Sequence, residues 1–365
     1  MPAFAPNPPR ISAASSASLP ERIYILADDL TGACDSAAAF VAVGRAVRVW
    51  LGATAAFPAA EPVQAFHTDS RSLPPAEAAR VVSRAAKELA ALPNALWFKK
   101  IDSAARGPFA AEILAAHRAF GSRAVLLAPA FPAAGRTVRN GILEIRDAAG
   151  QRTKIDVAGL FPPRTRGLMH RVGSAQELAA AYNTGKPVLL CDSLTQADLE
   201  ALVRNAENLP GLLFAGSAGL AQALARRARR RRRRVPPPTA SRVLIVAGSE
   251  HPLTKLQLAT LDPAHACAVE VLRPRFSGRD GARIRKAFRS LAPQALILTG
   301  GDTAMLTASA LGAHSFILQG ELAPGVPWGM VQGGVADGSI AITKSGGFGA
   351  PTIFNEILAT LRGQA

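Results

Sequence analysis

The sequence predicts an α/β protein with two domains, each built on a largely parallel β-sheet flanked by helices. Apolar runs of strand length alternate with segments of helical length along both halves of the chain, which is typical of βαβ units. The chain has 365 residues, enough for two domains of about 150 residues each. An arginine block followed by prolines separates the halves. We therefore expect a disordered leader over residues 1–20, a first domain over 21–225, a linker over 226–240 and a second domain over 241–365.

The predicted strands follow from short, bounded apolar runs. Before the arginine block they are Ile23–Ala27, Val47–Leu51, Val63–Thr68, Leu96–Ile101, Ala124–Ala128, Val188–Asp192 and Leu212–Ala215. After it they are Val243–Ala247, Ala268–Leu272, Ala295–Thr299, Ser315–Leu318, Gly329–Val331 and Ile340–Thr343. The segment between Asn140 and Met169 has mixed charge and little regularity, and we expect a hairpin or loop excursion there.

The net charge of +16 raises the question of nucleic-acid binding. Much of this excess lies in Arg226–Arg234, which is arginine at every position except Ala228 and is followed by prolines. Such a block is usually a solvated, extended segment, although it can also bind phosphates without sequence preference. No aromatic residues suited to base stacking accompany it. We therefore favour a linker and do not expect nucleic acid as a partner.

Targeting signals are missing from the sequence pattern. No apolar run approaches the roughly 20 residues that span a bilayer. Arg10 is the only basic residue before Pro20, and no continuous apolar segment follows it, so this stretch is a poor signal peptide. We expect a cytoplasmic protein without a membrane partner, and leave a homo-oligomer open.

Two adjacent carboxylates, Asp28 and Asp29, follow the first predicted strand and precede a segment of helical composition. The carboxyl ends of strands are where open α/β sheets bind ligands. Neighbouring carboxylates repel each other, so they need a cation, a proton or a substrate hydroxyl as a partner. A helix N-cap would explain one aspartate but not the pair. We therefore favour a functional site.

Polar clusters follow other strands of the first half in the same way. They include Asp69 and Arg71 after one strand, and Lys100, Asp102 and Arg106 after another. Parallel strands place their carboxyl ends on one edge, so these clusters could converge with the aspartate pair. Cations suit a ligand carboxylate and Asp side chains suit hydroxyls, which favours a small polyhydroxylated acid. The alternative is that the clusters form ordinary salt bridges.

Glycine-rich turns follow three strands of the second half. They are Gly248-Ser249, Gly300-Gly301-Asp302-Thr303 and Lys344-Ser345-Gly346-Gly347. Glycines at strand-to-helix turns let backbone amides approach a phosphate, and the helix dipole favours its negative charge. Asp302 and Thr303 could cap a helix or reach Mg²⁺ through water. The three turns together predict nucleotide phosphate binding, although no P-loop pattern is present.

Taken in order, these motifs resemble the four-carbon acid sugar kinases, the ATP-dependent kinases of threonate, erythronate and 3-oxo-tetronate. The resemblance rests on Ala27–Gly32, Thr68–Arg71, Lys99–Ser103 with Arg106-Gly107, Ala128–Pro132 with Gly135–Thr137, Gly216–Leu220, Leu298–Thr303 and Lys344–Gly349. It implies a sugar-acid-binding first domain and an ATP-binding second domain. The nucleotide contacts that it implies are Ser249, Gly300, Gly301, Asp302, Thr303, Gly346 and Gly347.

The chain also departs from the family pattern. It is short between Gly141 and Asp192. It reads Ser103-Ala104-Ala105-Arg106-Gly107 where typical members read Ser-Thr-Leu-Arg-Gly. Glu250-His251 follows Gly248-Ser249 in place of a small residue.

The resemblance implies phosphoryl transfer from ATP, with Mg²⁺ bridging the phosphates, to the terminal hydroxyl of a four-carbon sugar acid. A carboxylate near that hydroxyl would take its proton, and Asp29 and Asp102 both remain candidates. Lys100, Arg71 and Arg106 are expected to bind the substrate carboxylate or the transferring phosphoryl group, with Asp28 and Asp69 beside them. We assign no side chain as a dedicated metal ligand. The alternatives are a non-catalytic nucleotide- or sugar-acid-binding protein and a nucleic-acid-associated protein that uses the arginine block.

Overall fold

The computed structural model describes residues 20–51, 60–92, 95–146, 150–228, 235–262, 268–270 and 277–364. The predicted leader, except for Pro20, and the arginines at 229–234 lie outside the described residues. Two compact units are present. The first unit is built on Ser70–Ala228, and the second unit combines Tyr24–Asp69 with the chain after Ala228.

Strands and helices alternate along most of the described chain. The strands are β1 (Arg22–Ala27), β2 (Val47–Trp50), β3 (Val63–His67), β4 (Ala95–Lys100), β5 (Ala124–Ala128), β6 (Arg136–Arg139), β7 (Ile142–Arg146), β8 (Arg152–Asp156), β9 (Met169–Val172), β10 (Val188–Cys191), β11 (Leu212–Gly216), β12 (Val243–Ala247), β13 (Ala268–Glu270), β14 (Ala295–Thr299), β15 (Ser315–Ala323), β16 (Val326–Gln332) and β17 (Ile340–Lys344). The helices are α1 (Leu30–Ala42), α2 (Pro75–Ala90), α3 (Phe109–Phe120), α4 (Pro163–Arg166), α5 (Leu178–Asn183), α6 (Gln196–Ala206), α7 (Ala218–Arg227), α8 (Pro252–Ala259), α9 (Gly278–Leu291), α10 (Gly301–Leu311) and α11 (Ile353–Leu361).

The main sheet of the first unit is parallel throughout, in the order β4-β11-β5-β10-β9. Its strands are joined by helical crossovers, such as α3 between β4 and β5 and α6 between β10 and β11. β5 is buried along its whole length, which is typical of a parallel strand covered on both faces. A second sheet, β6-β7-β8, is antiparallel. It confirms the hairpin predicted after Asn140, although the hairpin already begins at Arg136.

The sheet of the second unit is mixed. β13, β12, β14 and β17 are parallel neighbours, and β2 runs parallel to β3. The long hairpin of β15 and β16 lies antiparallel between β17 and β2. The connection between these two strands is only Pro324-Gly325, which is too short for a parallel crossover. The predicted α/β class with largely parallel sheets is confirmed, and this hairpin is the antiparallel insertion that the short apolar runs did not reveal.

The grouping of residues differs from the order of the chain. Tyr24–Asp69 packs with the carboxy-terminal part of the chain, so Asp28, Asp29 and Asp69 belong to the second unit. Lys100 and Asp102 belong to the first unit.

The beginning of the predicted linker is helical. α7 includes Arg226 and Arg227, which pair with Glu200 and Glu207. The helix thus continues into the segment predicted as linker, and the boundaries of the functional domains stay a prediction. None of the helices in the described ranges has the length and apolar character that crossing a bilayer requires.

Candidate active site

The phosphate-binding turns predicted in the second unit lie at a topological switch point. β12 lies between β13 and β14, so the chain leaves β12 towards one side and returns through β14 on the other. Ligands of open α/β sheets bind in the crevice at such a point. Ser249 follows β12, and Gly300 to Thr303 lead from β14 into α10. The sheet order therefore brings two of the three predicted turns to the same crevice.

Close packing shows that the turns are in contact. Gly300 has φ +97°, a conformation that favours glycine, and a methyl group there would lie 3.4 Å from Ser249 Cβ. A methyl group at Gly346 would overlap Ser249 Oγ, and one at Gly347 would lie 3.1 Å from His251 Nε2. The turns after β12, β14 and β17 thus converge, and their glycines allow this close packing.

Buried hydroxyl groups face no protein partner in this region. The Oγ1 atoms of Thr299 and Thr303 are buried, and within the described parts of the chain neither makes a hydrogen bond. Leaving a buried hydroxyl unsatisfied costs about 1–3 kcal/mol. A phosphate oxygen would accept a hydrogen bond from each. Thr303 was expected at the site, whereas Thr299, the last residue of β14, was not singled out in the sequence.

Lys344, at the end of β17, supports the same turns. Its backbone carbonyl accepts a hydrogen bond from Gly300 N, at 2.9 Å. Its Nζ donates to the carbonyls of Ser345 and Phe348, at 3.0 and 3.3 Å. Burial lowers the pKa of the Lys344 ammonium to about 8. The sequence motif contains this lysine, but only the fold shows that it ties the glycine turn together.

Asp29 lies next to the first turn of α10. Its Oδ1 accepts a hydrogen bond from Gly32 N at 2.8 Å and its Oδ2 accepts one from Thr31 Oγ1 at 2.7 Å, so it does cap α1. A methyl group at Gly301 would lie only 2.8 Å from Asp29 Oδ2. The capping role is therefore real, and the same carboxylate also faces the amino end of α10. Asp28 beside it is 3% exposed, and Asp302 lies in the first turn of that helix.

A second cluster, in the first unit, surrounds Asp102. Arg106 donates to both carboxylate oxygens, with Nε 2.9 Å from Oδ2 and an Nη 2.6 Å from Oδ1. The backbone N–H groups of Ala104 and Arg106 also donate to Oδ2, and Arg71 lies 3.7 Å from Oδ1. Burial acts to raise the pKa of the Asp102 carboxyl, but the Arg106 hydrogen bonds and the charges of Arg71, Arg106 and Lys100 hold that pKa well below its usual range. The salt-bridge alternative is realised here.

Lys100 belongs to this cluster but forms no ion pair of its own. It is 4% exposed, and its Nζ donates to the carbonyl of Ile101 at 2.8 Å. Within the described residues, no carboxylate lies within salt-bridge distance of this ammonium group. A buried cation without a direct ion pair is costly, so the position suits an anionic ligand. Asp69 is more exposed, has φ +47° and lies 3.1 Å from His67 Nδ1.

The Gly216–Leu220 motif has a packing role. A methyl group at Gly216 would lie 2.5 Å from the carbonyl oxygen of Ala128, and one at Gly219 would lie 2.5 Å from that of Ala130. Ser217 caps α7 and donates to the Ala130 carbonyl at 2.6 Å. This motif therefore allows α7 to pack closely on the loop after β5.

The comparisons with known proteins agree with this architecture. A domain family described as "Sugar-binding N-terminal domain" matches residues 23–224, and one described as "Nucleotide-binding C-terminal domain" matches residues 278–354. A solved structure of a Haemophilus influenzae protein has a TM-score of 0.66 at 20% identity and covers 93% of this chain and 100% of its own. At this identity the match shows a shared fold.

Named relatives cover most of the chain. A D-threonate kinase of Bordetella bronchiseptica is 32% identical over 93% of this chain and 97% of its own length. A D-erythronate kinase of Heliobacterium modesticaldum is 29% identical over 67% of this chain and 61% of its own length, and further relatives are named 3-oxo-tetronate kinase. The chain therefore belongs to the four-carbon acid sugar kinase family and is a sugar-acid kinase.

Proposed function

We propose that this kinase transfers the γ-phosphoryl group of ATP to the terminal hydroxyl of a four-carbon sugar acid, such as threonate, erythronate or 3-oxo-tetronate. The observation that carries the proposal is the crevice of the second unit, where glycine turns and buried threonine hydroxyls meet beside the Asp29 carboxylate. Relatives named for each of these substrates match the chain at 25–32% identity, so they support the substrate class without distinguishing its members.

The nucleotide phosphates would be held by backbone and hydroxyl donors. We assign these contacts to the predicted set Ser249, Gly300, Gly301, Asp302, Thr303, Gly346 and Gly347, and add Thr299. The N–H groups at the start of α10 point towards an anion in such a turn, and the helix dipole adds to the attraction. Mg²⁺ would arrive with ATP and neutralise phosphate charge, and Asp302 would supply a carboxylate of the kind that this ion prefers.

The sugar acid would be held by the cluster of the first unit. We assign binding of the sugar-acid carboxylate to Lys100, because this buried ammonium has no ion-pair partner within the described residues. It donates one hydrogen bond to Ile101 and can donate further ones to a ligand. Arg71 and Arg106 keep Asp102 ionised and oriented. Asp28 and Asp69 stay proposed acceptors of hydrogen bonds from substrate hydroxyls.

Of the two candidate bases, we assign proton removal to Asp29. A general base needs a pKa near the working pH, and the pKa of Asp102 is held far below it by Arg106 and the neighbouring cations. The Asp102 carboxylate also already accepts hydrogen bonds from four donors. Asp29 faces the first turn of α10, where the phosphates would bind, and phosphoryl transfer brings the attacking hydroxyl to that place.

The test is ADP release from ATP and Mg²⁺ in the presence of tetronic acids and their oxo forms, with glycerate and gluconate as shorter and longer control acids. We expect turnover with at least one four-carbon acid and little with the controls. If ATP and a tetronate bind calorimetrically but no ADP is released, the chain is a non-catalytic binding protein. Salt-sensitive binding of an oligonucleotide without kinase activity would instead favour the arginine block as the functional element.

A further inference from the structure

A chain of buried polar groups lies directly behind the Asp102 cluster. Lys99 and Glu112 form an ion pair with 2.8 Å between Nζ and Oε2, and their side chains are 0% and 2% exposed. Ser70, also fully buried, donates from its hydroxyl to Glu112 Oε1 at 2.6 Å. All three residues belong to the first unit.

These three buried residues join the two backbone segments that carry Arg71 and Lys100. Ser70 directly precedes Arg71, so its bond to Glu112 fixes the start of the turn on which Arg71 lies. Lys99 Nζ also donates to the backbone carbonyl of Lys100 at 2.9 Å. Ser70 and Glu112 thus hold the Arg71 turn, and Lys99 holds the carboxyl end of β4.

The two segments held in this way are tightly packed and conformationally demanding. Ala105 has φ +55°, a conformation that costs free energy in a residue with a side chain. Gly107 has φ +81°, and a methyl group there would lie 2.7 Å from the carbonyl oxygen of Arg71. Such backbone persists only where the surroundings determine it strongly.

Stability alone does not explain a buried ion pair. Removing two charges from water is costly, and well-packed apolar residues of similar volume are often as stabilising or more so. Within the described residues, neither Lys99 nor Glu112 forms a hydrogen bond or ion pair with a side chain predicted for the site. What they contact is the backbone and the turn that orient the site.

We propose that Lys99 and Glu112 are positioning residues, whose ion pair, together with Ser70, holds Arg71 and Lys100 in the arrangement that binds the sugar acid. The proposal rests on the proposed function, because it assigns sugar-acid binding to this cluster. It predicts that replacing the pair by apolar residues leaves a folded kinase with weakened sugar-acid binding and unaltered nucleotide binding.

The test compares the wild-type protein with the double variant Lys99→Met/Glu112→Leu. We expect an equal or higher Tm, faster hydrogen–deuterium exchange over residues 70–73 and 100–107, and a KM for the best tetronate raised about ten-fold or more. The Kd for ATP, measured by calorimetry, should not change. The control is Arg48→Met/Glu61→Leu, which removes a largely buried ion pair of the second unit and should leave the KM for the tetronate unaltered.

If the exchange over residues 70–73 and 100–107 and the KM both stay at wild-type values, the positioning role is wrong. Should the double variant fail to fold, Ser70→Ala removes the hydroxyl bond to Glu112 and keeps the ion pair, and a KM increase of about three-fold is expected. An unchanged KM would overturn the proposal. The exchange measurement needs no substrate. It therefore decides the positioning role even if no tetronate supports ADP release, a result that would count against the proposed function alone.

Discussion

The two clusters of candidate residues differ in the groups with which each would hold an anion. In the second unit, the crevice is built from backbone, glycine turns and hydroxyls, and Thr299 and Thr303 keep hydrogen-bonding capacity in reserve. In the first unit, charged side chains of the cluster neutralise one another, because Arg71 and Arg106 pair with Asp102, whereas Lys100 forms no ion pair within the described residues. The crevice thus depends on the close fit of small residues, and the cluster depends on its charges. Substitutions that add volume should therefore harm the first, and substitutions that remove charge should harm the second.

The largest expected effect concerns the division of labour between the aspartates. Asp29→Asn should lower kcat by about 10²–10⁴-fold, because the amide cannot take a proton at neutral pH. Asp102→Asn should mainly raise the KM for the sugar acid, because it removes an anchor for Arg71 and Arg106. Steady-state kinetics on the best tetronate measure both. A loss of kcat confined to Asp102→Asn would reverse the assignment.

Added volume should damage the crevice. Gly346→Ala places a methyl group against Ser249 Oγ where the turns meet, so we expect the Kd for ATP to rise by about 100-fold, which corresponds to roughly 3 kcal/mol. Calorimetric titration with ATP and Mg²⁺ measures this. Gly278→Ala is the matched control, since nothing lies within 4 Å of a methyl group at that position. Equal ATP affinity in both variants would remove Gly346 from the site.

Removed charge should damage the cluster. Lys100→Met keeps most of the side-chain volume but loses the ammonium group, and hydrogen bonds to charged groups are worth about 1.5–3 kcal/mol. We therefore expect the KM for the sugar acid to rise by about 10- to 100-fold, while the Kd for ATP stays the same. Lys87→Met, on the exposed face of α2, is the control and should change neither value. A rise in the Kd for ATP with an unchanged KM for the acid would contradict the comparison.

The smallest expected effect is a pH dependence of the crevice. Burial lowers the pKa of Lys344 to about 8, so its charge is present below that pH and is lost as the pH rises through it. A positive charge beside the glycine turn favours phosphate, and we expect kcat/KM for ATP to fall a few-fold between about pH 7 and pH 9. The Lys344→Met variant should have a lower value and a flat profile over the same interval. An identical decline in both proteins would assign it to another group.

Local patterns in the sequence were sufficient to place most of the candidate residues at the ends of strands. The glycine turns after β14 and β17 and the Lys100-Ile101-Asp102 segment follow apolar runs, and strand ends are where ligands bind. Two features could not be read from such patterns. Charged residues such as Lys99 and Glu112 are mostly exposed, and no local pattern indicates that these two form a buried ion pair. The association of Tyr24–Asp69 with the carboxy-terminal strands depends on long-range strand pairing, which leaves no local signal.

That long-range pairing also bears on how the chain folds during synthesis. β2 pairs with β15, and Arg48 donates to Ser315 Oγ at 2.8 Å across 267 residues of sequence. At about 5–20 residues per second, the ribosome needs on the order of 10 to 50 s to supply the second partner. Ser70–Ala228 forms a compact unit and can fold during this interval, while one edge of β2 stays unpaired. The segment that carries the aspartate pair is thus among the first to be made and among the last to be completed.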